Sequence, residues 1–320
     1  ARQTRDGRWN IYQKSRKSTK KVKSTWDDVA FINERGTVQA GELGMGGMFS
    51  HPKPVDLVRE IISFTTQSGD MVMDFFAGSG TTGHAVMEKN AEDGGNRRYI
   101  LVQLPEPLDP NDANQSEAAK YLHKAGKPLN IAELTKERLR RAGKKIREKH
   151  GAAKVDTGFR VYKLATSNLK PWQPDAGDLE ASILDAVDNV LPDRTEEDLL
   201  VELLLKTGID LTLPEEKRTI AGRTVRALGG GTLMVCLGDV GADDAEALGQ
   251  GMADWIDELE PVQTTIYFKD TGLGADGNRA AFWFPGSFAP GPVSTGQAAL
   301  ALAGSALPVT VRSVPLSTVG

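Results

Sequence analysis

The sequence predicts an α/β fold in which a parallel sheet with flanking helices precedes a smaller α+β domain. Apolar strand-like segments alternate with amphipathic segments over residues 55–104, as they do in parallel sheets. One predicted strand runs directly into a glycine-rich turn that opens a helix. Beyond residue 175 a hairpin signal and further helical segments indicate a second domain.

The elements of the first domain follow from apolar periodicity and from turn residues. Residues 26–48 are expected to be loop-rich, because five glycines follow Glu34. In chain order, the pattern predicts a helix over 55–65, a strand over 71–74, a helix over 82–89 and a strand over 99–104.

A long helix is predicted after Asn130, which is a favourable N-cap, with Glu133 completing a capping box. Gly151 is expected to end it, and a strand is predicted over 159–164. The residues that recur at helical spacing and are expected to pack are Ile131, Leu134, Arg138, Ala142 and Ile146.

The predicted second domain begins with a helix that Thr195 caps. This helix is apolar nearly all round, so it is buried either within its own domain or against another subunit. The pattern then predicts a hairpin over 224–237, a helix over 244–259 and a strand over 264–270. Residues 286–320 read as a low-complexity tail that we expect to be poorly ordered.

Charge is distributed unevenly. Residues 1–150 contain 26 Lys and Arg against 19 Asp and Glu, whereas residues 151–320 contain 13 against 24. The basic half suits an anionic polymer, and the basic segment Arg2 to Lys23 alone carries nine cations and one acid.

The composition also excludes some classes of protein. No apolar run is long enough to span a membrane, and no metal-ligand cluster is evident. The single Cys236 lies in a predicted buried strand and can form no internal disulfide, so a cytoplasmic location is expected.

The glycine-rich turn at the end of the first strand indicates a nucleotide-type cofactor. Gly78 and Gly80 let the backbone approach a ligand closely, and the next helix offers unpaired N–H groups. Because the turn lacks the lysine of a phosphate-binding loop, the carboxylate of S-adenosylmethionine fits better than ATP.

Several segments together carry a family resemblance. HPKP at 51–54 and DFFAGSGTT at 74–82 resemble motifs X and I of the β-type, amino-methylating DNA methyltransferases. More narrowly, WDDVAFINERGT, RRYILVQLPEPL and NIAELTKERLRRAGKKI are similar to the modification subunit of type III restriction–modification systems. The similarity covers roughly residues 24–280.

The resemblance implies a Rossmann-like methyltransferase domain that uses S-adenosylmethionine and methylates adenine N6. It implies duplex DNA, a second copy of the chain and a helicase–nuclease restriction subunit as partners. The implied organisation is a basic segment ending a DNA-contacting region (1–30), a cofactor-binding part (31–165), an α+β assembly domain (175–285) and the tail (286–320).

The resemblance also assigns site residues. Asp74 would hold the methionine ammonium group, and Phe76 would face the adenine or the sulfonium. Gln103, with Glu106 after it, stands where a ribose-binding acid is usual, and Lys53 could add a charged contact. The backbone and hydroxyl groups expected to bind the carboxylate belong to Gly78, Ser79, Gly80 and Thr81.

The catalytic (D/N)PP(Y/W/F) tetrapeptide of such enzymes is absent from the sequence. In the permuted order that motif precedes motif X, so we expect this chain to be the C-terminal portion of a methyltransferase and assign no catalytic residue. Two alternatives stay open: a noncatalytic DNA-recognition or dimerisation module, and an unrelated dinucleotide-binding enzyme. The absence of a GxGxxG motif counts against the second alternative.

Overall fold

A computed structural model describes residues 2–3, 5–10, 22, 25–151, 155–169, 190–269 and 309–314. The chain divides into two compact units, residues 1–159 and 160–320. The helices are α1 (Asn33–Glu42), α2 (Val55–Thr65), α3 (Thr81–Asp93), α4 (Ser116–Lys124), α5 (Ile131–His150), α6 (Glu196–Thr207) and α7 (Ala242–Leu259). The strands are β1 (Arg2–Gln3), β2 (Trp9–Asn10), β3 (Met71–Asp74), β4 (Arg98–Leu101), β5 (Glu215–Ile220), β6 (Arg223–Leu228), β7 (Leu233–Cys236), β8 (Thr264–Lys269) and β9 (Val309–Val314).

The first unit is built around the parallel pair β3–β4, which α3 connects. Successive side chains of a strand point to opposite faces. On one face, Val72 and Tyr99 pack against a core formed by Val55 and Ile62 of α2 and Val86 of α3. The predicted strands and the crossover helix are therefore present, and the architecture is mixed α/β.

The other face of β3–β4 is exposed and apolar. The exposed side chains are Met71 and Met73 of β3 and Ile100 of β4, which alternate along the strands with the packed residues. The exposed row continues past the strand ends with Phe75, Val102 and Leu104.

Helix α5 lies under the glycine-rich turn and contributes to a second core with α4. Leu134, Leu139, Ala142 and Ile146 of α5 are buried there. Asn130 caps the helix, since its side chain accepts a hydrogen bond from the N–H of Glu133 at 3.0 Å. The predicted capping box is incomplete, because Glu133 pairs with Lys136 and the N–H of Asn130 donates to Pro128 O.

The expectation of a loop over residues 26–48 is wrong, because α1 occupies ten of those residues. Of its two glycines, Gly36 serves packing, because a Cβ at this position would overlap the backbone oxygen of Pro52. The helix also supplies Gln39, which accepts from the N–H of Val55 at 2.8 Å and donates to Asp56 at 2.7 Å. Gln39 of α1 thus acts as the N-terminal cap of α2, because its side-chain oxygen accepts from the first N–H of that helix.

The second unit contains a five-stranded mixed sheet in the order β5-β6-β7-β8-β9. The predicted hairpin is β6–β7, which pairs antiparallel, whereas β7–β8 and β8–β9 are parallel. Helix α7 covers one face through Leu248, Met252 and Ile256. Leu199, Leu200, Leu203 and Leu204 of α6 belong to a core that includes Val235 and Tyr267 of the sheet.

Two expectations for this unit need correction, and one of two open placements is observed. Residues 159–164 form no strand; Arg160 and Tyr162 instead donate to the carbonyls of Leu213 and Leu211 at 2.8 and 3.1 Å. Four leucines of α6 are buried within the unit, which is the first of the two placements predicted for this apolar helix. Within residues 286–320, expected to be poorly ordered, the described residues form the strand β9.

Other expectations fall outside the described part of the chain. Most of the basic segment, including Lys20, Lys21 and Lys23, lies there, as does the rest of the tail. Among the described residues, no helix combines the length and the apolarity that crossing a membrane requires.

Candidate cofactor site

The glycine-rich turn occupies the connection between the carboxyl end of β3 and the first residue of α3. Gly78 and Gly80 have φ angles of 49° and 76°, in the left-handed region that glycine adopts without strain. Gly80 is the N-cap of α3, and its N–H donates to Ala77 O at 2.7 Å. The sequence places these glycines where the backbone requires them.

Asp74 fixes the start of the turn. One carboxylate oxygen accepts from the N–H of Phe76 at 3.0 Å, and the other accepts from the hydroxyl of Thr82. Each oxygen retains acceptor capacity, because a carboxylate has about four lone-pair sites. Phe76 is 88% exposed, so it offers free apolar surface beside the turn.

Gln103 holds the turn from the end of β4. Its side-chain oxygen accepts from the N–H of Gly78 at 2.6 Å, and its amide nitrogen donates to Leu104 O at 3.0 Å. The N–H of Gly78, expected to be free for a ligand, is therefore engaged within the protein. The Glu106 side chain is exposed, and its backbone carbonyl accepts from Ile131 N.

Two hydroxyls lie side by side at the start of α3. Ser79 Oγ and Thr81 Oγ1 are 3.0 Å apart, and the hydroxyl of Thr81 donates to the backbone carbonyl of Lys53 at 3.2 Å. Lys53 thus meets the turn through its backbone, while its side chain is exposed. This hydrogen bond connects the HPKP loop to the glycine-rich turn.

Arg138 of α5 lies beneath this hydroxyl pair with 0% of its surface exposed. Its Nη1 donates to Ser79 Oγ at 2.7 Å and to Thr81 Oγ1 at 3.0 Å. Burial lowers the pKa of the guanidinium to about 10, so the group stays charged at neutral pH. Its Nε and Nη2 are buried without a hydrogen-bond partner among the described residues.

His84 of α3 is also buried. Its Nε2 lies 3.3 Å from a Glu88 oxygen, and its Nδ1 has no partner in the described part of the chain. Burial lowers the pKa of His84, so the imidazole is neutral at pH 7.

The turn presents free backbone donors. No acceptor for the N–H groups of Ser79, Thr81 or Thr82 is found among the described residues. Unpaired N–H groups at a helix N-terminus favour an anionic ligand group. No cluster of His, Cys, Asp and Glu in the described regions could hold a metal ion.

The structure brings together Asp74, Phe76, Gln103 and the turn from Gly78 to Thr81. It does not bring the Lys53 ammonium or the Glu106 carboxylate into a described contact there. Arg138 was predicted to pack but was given no role at the site; its occurrence at a core-facing position of α5 is the signal that could have found it.

Comparison with known proteins supports the sequence resemblance. Residues 2–106 match the N6_N4_Mtase family model, described as DNA methylase. The chain is 38% identical over 156 residues to the type III restriction-modification enzyme StyLTI Mod subunit of Salmonella typhimurium. This alignment covers 49% of this chain and 22% of the Salmonella protein. The chain is 30% identical over 232 residues to the EcoPI Mod subunit of Escherichia phage P1, covering 71% of this chain and 34% of that protein.

A third relative is the EcoP15I Mod subunit of Escherichia coli, 34% identical over 174 residues, with 54% of this chain and 24% of that protein covered. The predicted resemblance to type III modification subunits is therefore confirmed. The matched segments span between about a fifth and a third of the length of these three relatives.

Proposed function

We propose that this chain, a homologue of type III modification subunits, is the S-adenosylmethionine-binding part of a DNA (adenine-N6) methyltransferase. The observation that carries the proposal is the turn from Gly78 to Thr81, which opens α3 with free N–H groups beside two hydroxyls. The relatives' names and the DNA methylase match support the reaction class. The proposed function belongs to the larger enzyme.

The donor set fits the amino-acid end of the cofactor. The N–H groups of Ser79 and Thr81 and the Ser79 hydroxyl would bind its carboxylate, and Asp74 would accept from its ammonium group. Phe76 would cover the adenine or the sulfonium region. When bound, S-adenosylmethionine supplies a methyl group on a sulfonium sulfur. The side-chain oxygen of Gln103 already accepts a hydrogen bond from the N–H of Gly78. To bind the ribose as well, this oxygen would have to use its second lone pair.

The uncovered face of β3–β4 supports a larger, Rossmann-like sheet. Parallel sheets are normally covered on both faces, yet Met71, Met73 and Ile100 are exposed here. We infer that further strands and helices of the same methyltransferase pack on this face. The missing (D/N)PP(Y/W/F) motif fits this inference, because catalysis would then reside in that additional part.

Partners are proposed from the same homology. The Mod subunits are named as components of restriction-modification enzymes, so we propose duplex DNA, a second copy and a helicase–nuclease subunit as partners, in the cytoplasm. The basic first half suits DNA contact. The unit from residue 160 onward, or residues 175–285 as predicted, would serve assembly.

Substitution of Gly80 by valine tests cofactor binding. We expect Gly80→Val to abolish detectable S-adenosylmethionine binding, because a side chain would obstruct the close approach of the ligand to the turn, and the left-handed backbone adds a cost of about 1–2 kcal/mol. In addition, its Cβ would lie 3.0 Å from Thr135 Cγ2. Calorimetry should use the longest natural polypeptide that contains this chain.

Gly94→Val is the matched control. Gly94 ends the same helix with φ 70° and no atom near its Cβ position, so it introduces similar strain away from the turn. Unchanged affinity in Gly80→Val, or equal losses in both variants, would count against the assignment.

Methyl transfer separates the proposal from the noncatalytic alternative. The 320 residues alone should incorporate no radiolabelled methyl into duplex DNA, since they lack the catalytic tetrapeptide. The longer polypeptide should methylate adenine. Transfer by the chain alone would refute the proposed division of labour, and no transfer by the longer protein would favour the noncatalytic module.

A further inference from the structure

We propose that Arg138 is a positioning residue for the cofactor carboxylate, acting from beneath the glycine-rich turn through the Ser79 and Thr81 hydroxyls. The inference rests on the proposed S-adenosylmethionine site and gives that site its positive charge. Arg138, rather than Lys53, would then supply the positive charge near the cofactor carboxylate.

Position and burial set Arg138 apart from the other cations of α5. Arg140 and Lys144 are half-exposed or more on the solvent side of the helix, whereas Arg138 is completely buried. A buried guanidinium loses the hydration of an exposed one, and that loss is costly without compensating contacts. Here only Nη1 is hydrogen-bonded among the described residues, and attraction to the Glu88 carboxylate offsets only part of the cost of burial, so the charge is incompletely compensated.

The hydrogen bonds of Nη1 determine where the hydroxyl hydrogens point. A guanidinium can only donate, so Ser79 Oγ and Thr81 Oγ1 both act as acceptors toward it. The hydrogen of Thr81 is given to Lys53 O. The hydrogen of Ser79 therefore remains for Thr81 Oγ1 in the free protein, or for a carboxylate oxygen at the turn. Arg138 thus prepares Ser79 as a donor.

The charge adds to this effect. A cation in a poorly solvated position acts on a nearby anion more strongly than a cation in water does. The Lys53 side chain is exposed, so solvent weakens any attraction that it exerts. Only Arg138 combines burial with direct hydrogen bonds to the turn among the cations that the structure describes near it.

The test uses ligands that differ in the carboxylate. S-adenosylmethionine and S-adenosylhomocysteine carry it, whereas 5′-methylthioadenosine keeps the adenosine and the sulfur but has no amino-acid end. For Arg138→Met in the longest natural polypeptide, we expect about tenfold weaker binding of the first two ligands, equivalent to about 1.4 kcal/mol. Binding of 5′-methylthioadenosine should change less than about twofold on that scale.

The variant is expected to fold, because methionine retains an unbranched apolar stem and the two hydroxyls can still pair at 3.0 Å. Thermal unfolding checks this point. Arg140→Met is the matched control on the same helix, and Lys53→Met tests the competing assignment. Neither control should alter the affinity for any of the three ligands.

Equal weakening of all three ligands by Arg138→Met would show a merely structural role and overturn the inference. Unchanged affinity in Arg138→Met would also overturn it, and a loss in Lys53→Met would then assign the role to the Lys53 ammonium group. Both outcomes refute the role of Arg138 while the unsubstituted protein still binds S-adenosylmethionine, so the proposed function would stand. If the parent protein binds none of the ligands, the proposed function itself fails.

Discussion

The two sheets of the molecule differ in how their faces are covered. All four residues of β7 in the second unit are buried between α7 on one side and the α6 core on the other. In β3 of the first unit, only alternate residues pack, and Met71 and Met73 are about half exposed. Both strands are rich in apolar residues, so composition alone does not explain the difference.

The completely covered sheet and the proposed cofactor site therefore belong to different units. The second unit covers its sheet with its own helices. The first unit has the donor-rich turn but leaves an apolar face of its parallel pair exposed, where burial of each large side chain would contribute about 1.5–3 kcal/mol. The proposed cofactor site thus lies in the less completely covered region.

A matched pair of methionines gives the largest expected contrast. Met234 of β7 is 0% exposed and Met73 of β3 is 49% exposed. We expect Met234→Ala to destabilise the second unit by about 2–5 kcal/mol, and Met73→Ala to cost the first unit less than about 1 kcal/mol. Hydrogen exchange measured separately in each unit provides both values. Equal losses would mean that the face of β3 is already covered in this chain.

Acid should weaken the first unit through Glu137. Although burial alone would raise its pKa, hydrogen bonds from Arg141, Tyr121 and Lys127 lower it to about 2. The contribution to stability is therefore complete above about pH 4.5 and is lost as pH falls toward about 2. Glu137→Gln should flatten the pH dependence of unfolding in this range, whereas Glu148→Gln, at an exposed position, should not. A similar slope in all three proteins would contradict this origin.

Cys236 reports on the closed state of the second unit. It is buried in β7, and burial raises the pKa of its thiol to about 11. At pH 8, we expect a thiol reagent to label Cys236 negligibly until the second unit opens. Labelling should not affect the stability of the first unit. Rapid labelling of the folded protein would show that the sheet is less completely covered than the structure indicates.

Local patterns predicted much of the fold. Helices α2, α3, α5, α6 and α7 follow from apolar spacing, and α5 and α6 also have cap residues that form the expected hydrogen bonds, at Asn130 and Thr195. By contrast, α1 was missed because its glycines suggested a loop. Its stability depends on tertiary contacts with Pro52 and Val55, which local propensity does not contain.

The site was partly predictable for a related reason. Gly78, Gly80 and Asp74 follow from the strand, turn and helix order, which is local information. The contact between Gln103 and Gly78 joins residues 25 positions apart, and Arg138 reaches Ser79 across 59 positions. No spacing rule within one element specifies such contacts, so the engaged N–H of Gly78 and the hydrogen bond from Arg138 to Ser79 appear only in three dimensions.

The contact between Gly36 and the Pro52 carbonyl has an evolutionary consequence. Both Gly36 and Gly41 lie in α1, but only Gly36 faces backbone that a side chain would strike; Gly41 has open space around it. Alanine at position 41 would improve helix propensity by about 0.5–1 kcal/mol. Sequences drifting under selection for stability should therefore retain glycine at position 36 and readily lose it at position 41, although the two residues look equivalent in the printed sequence.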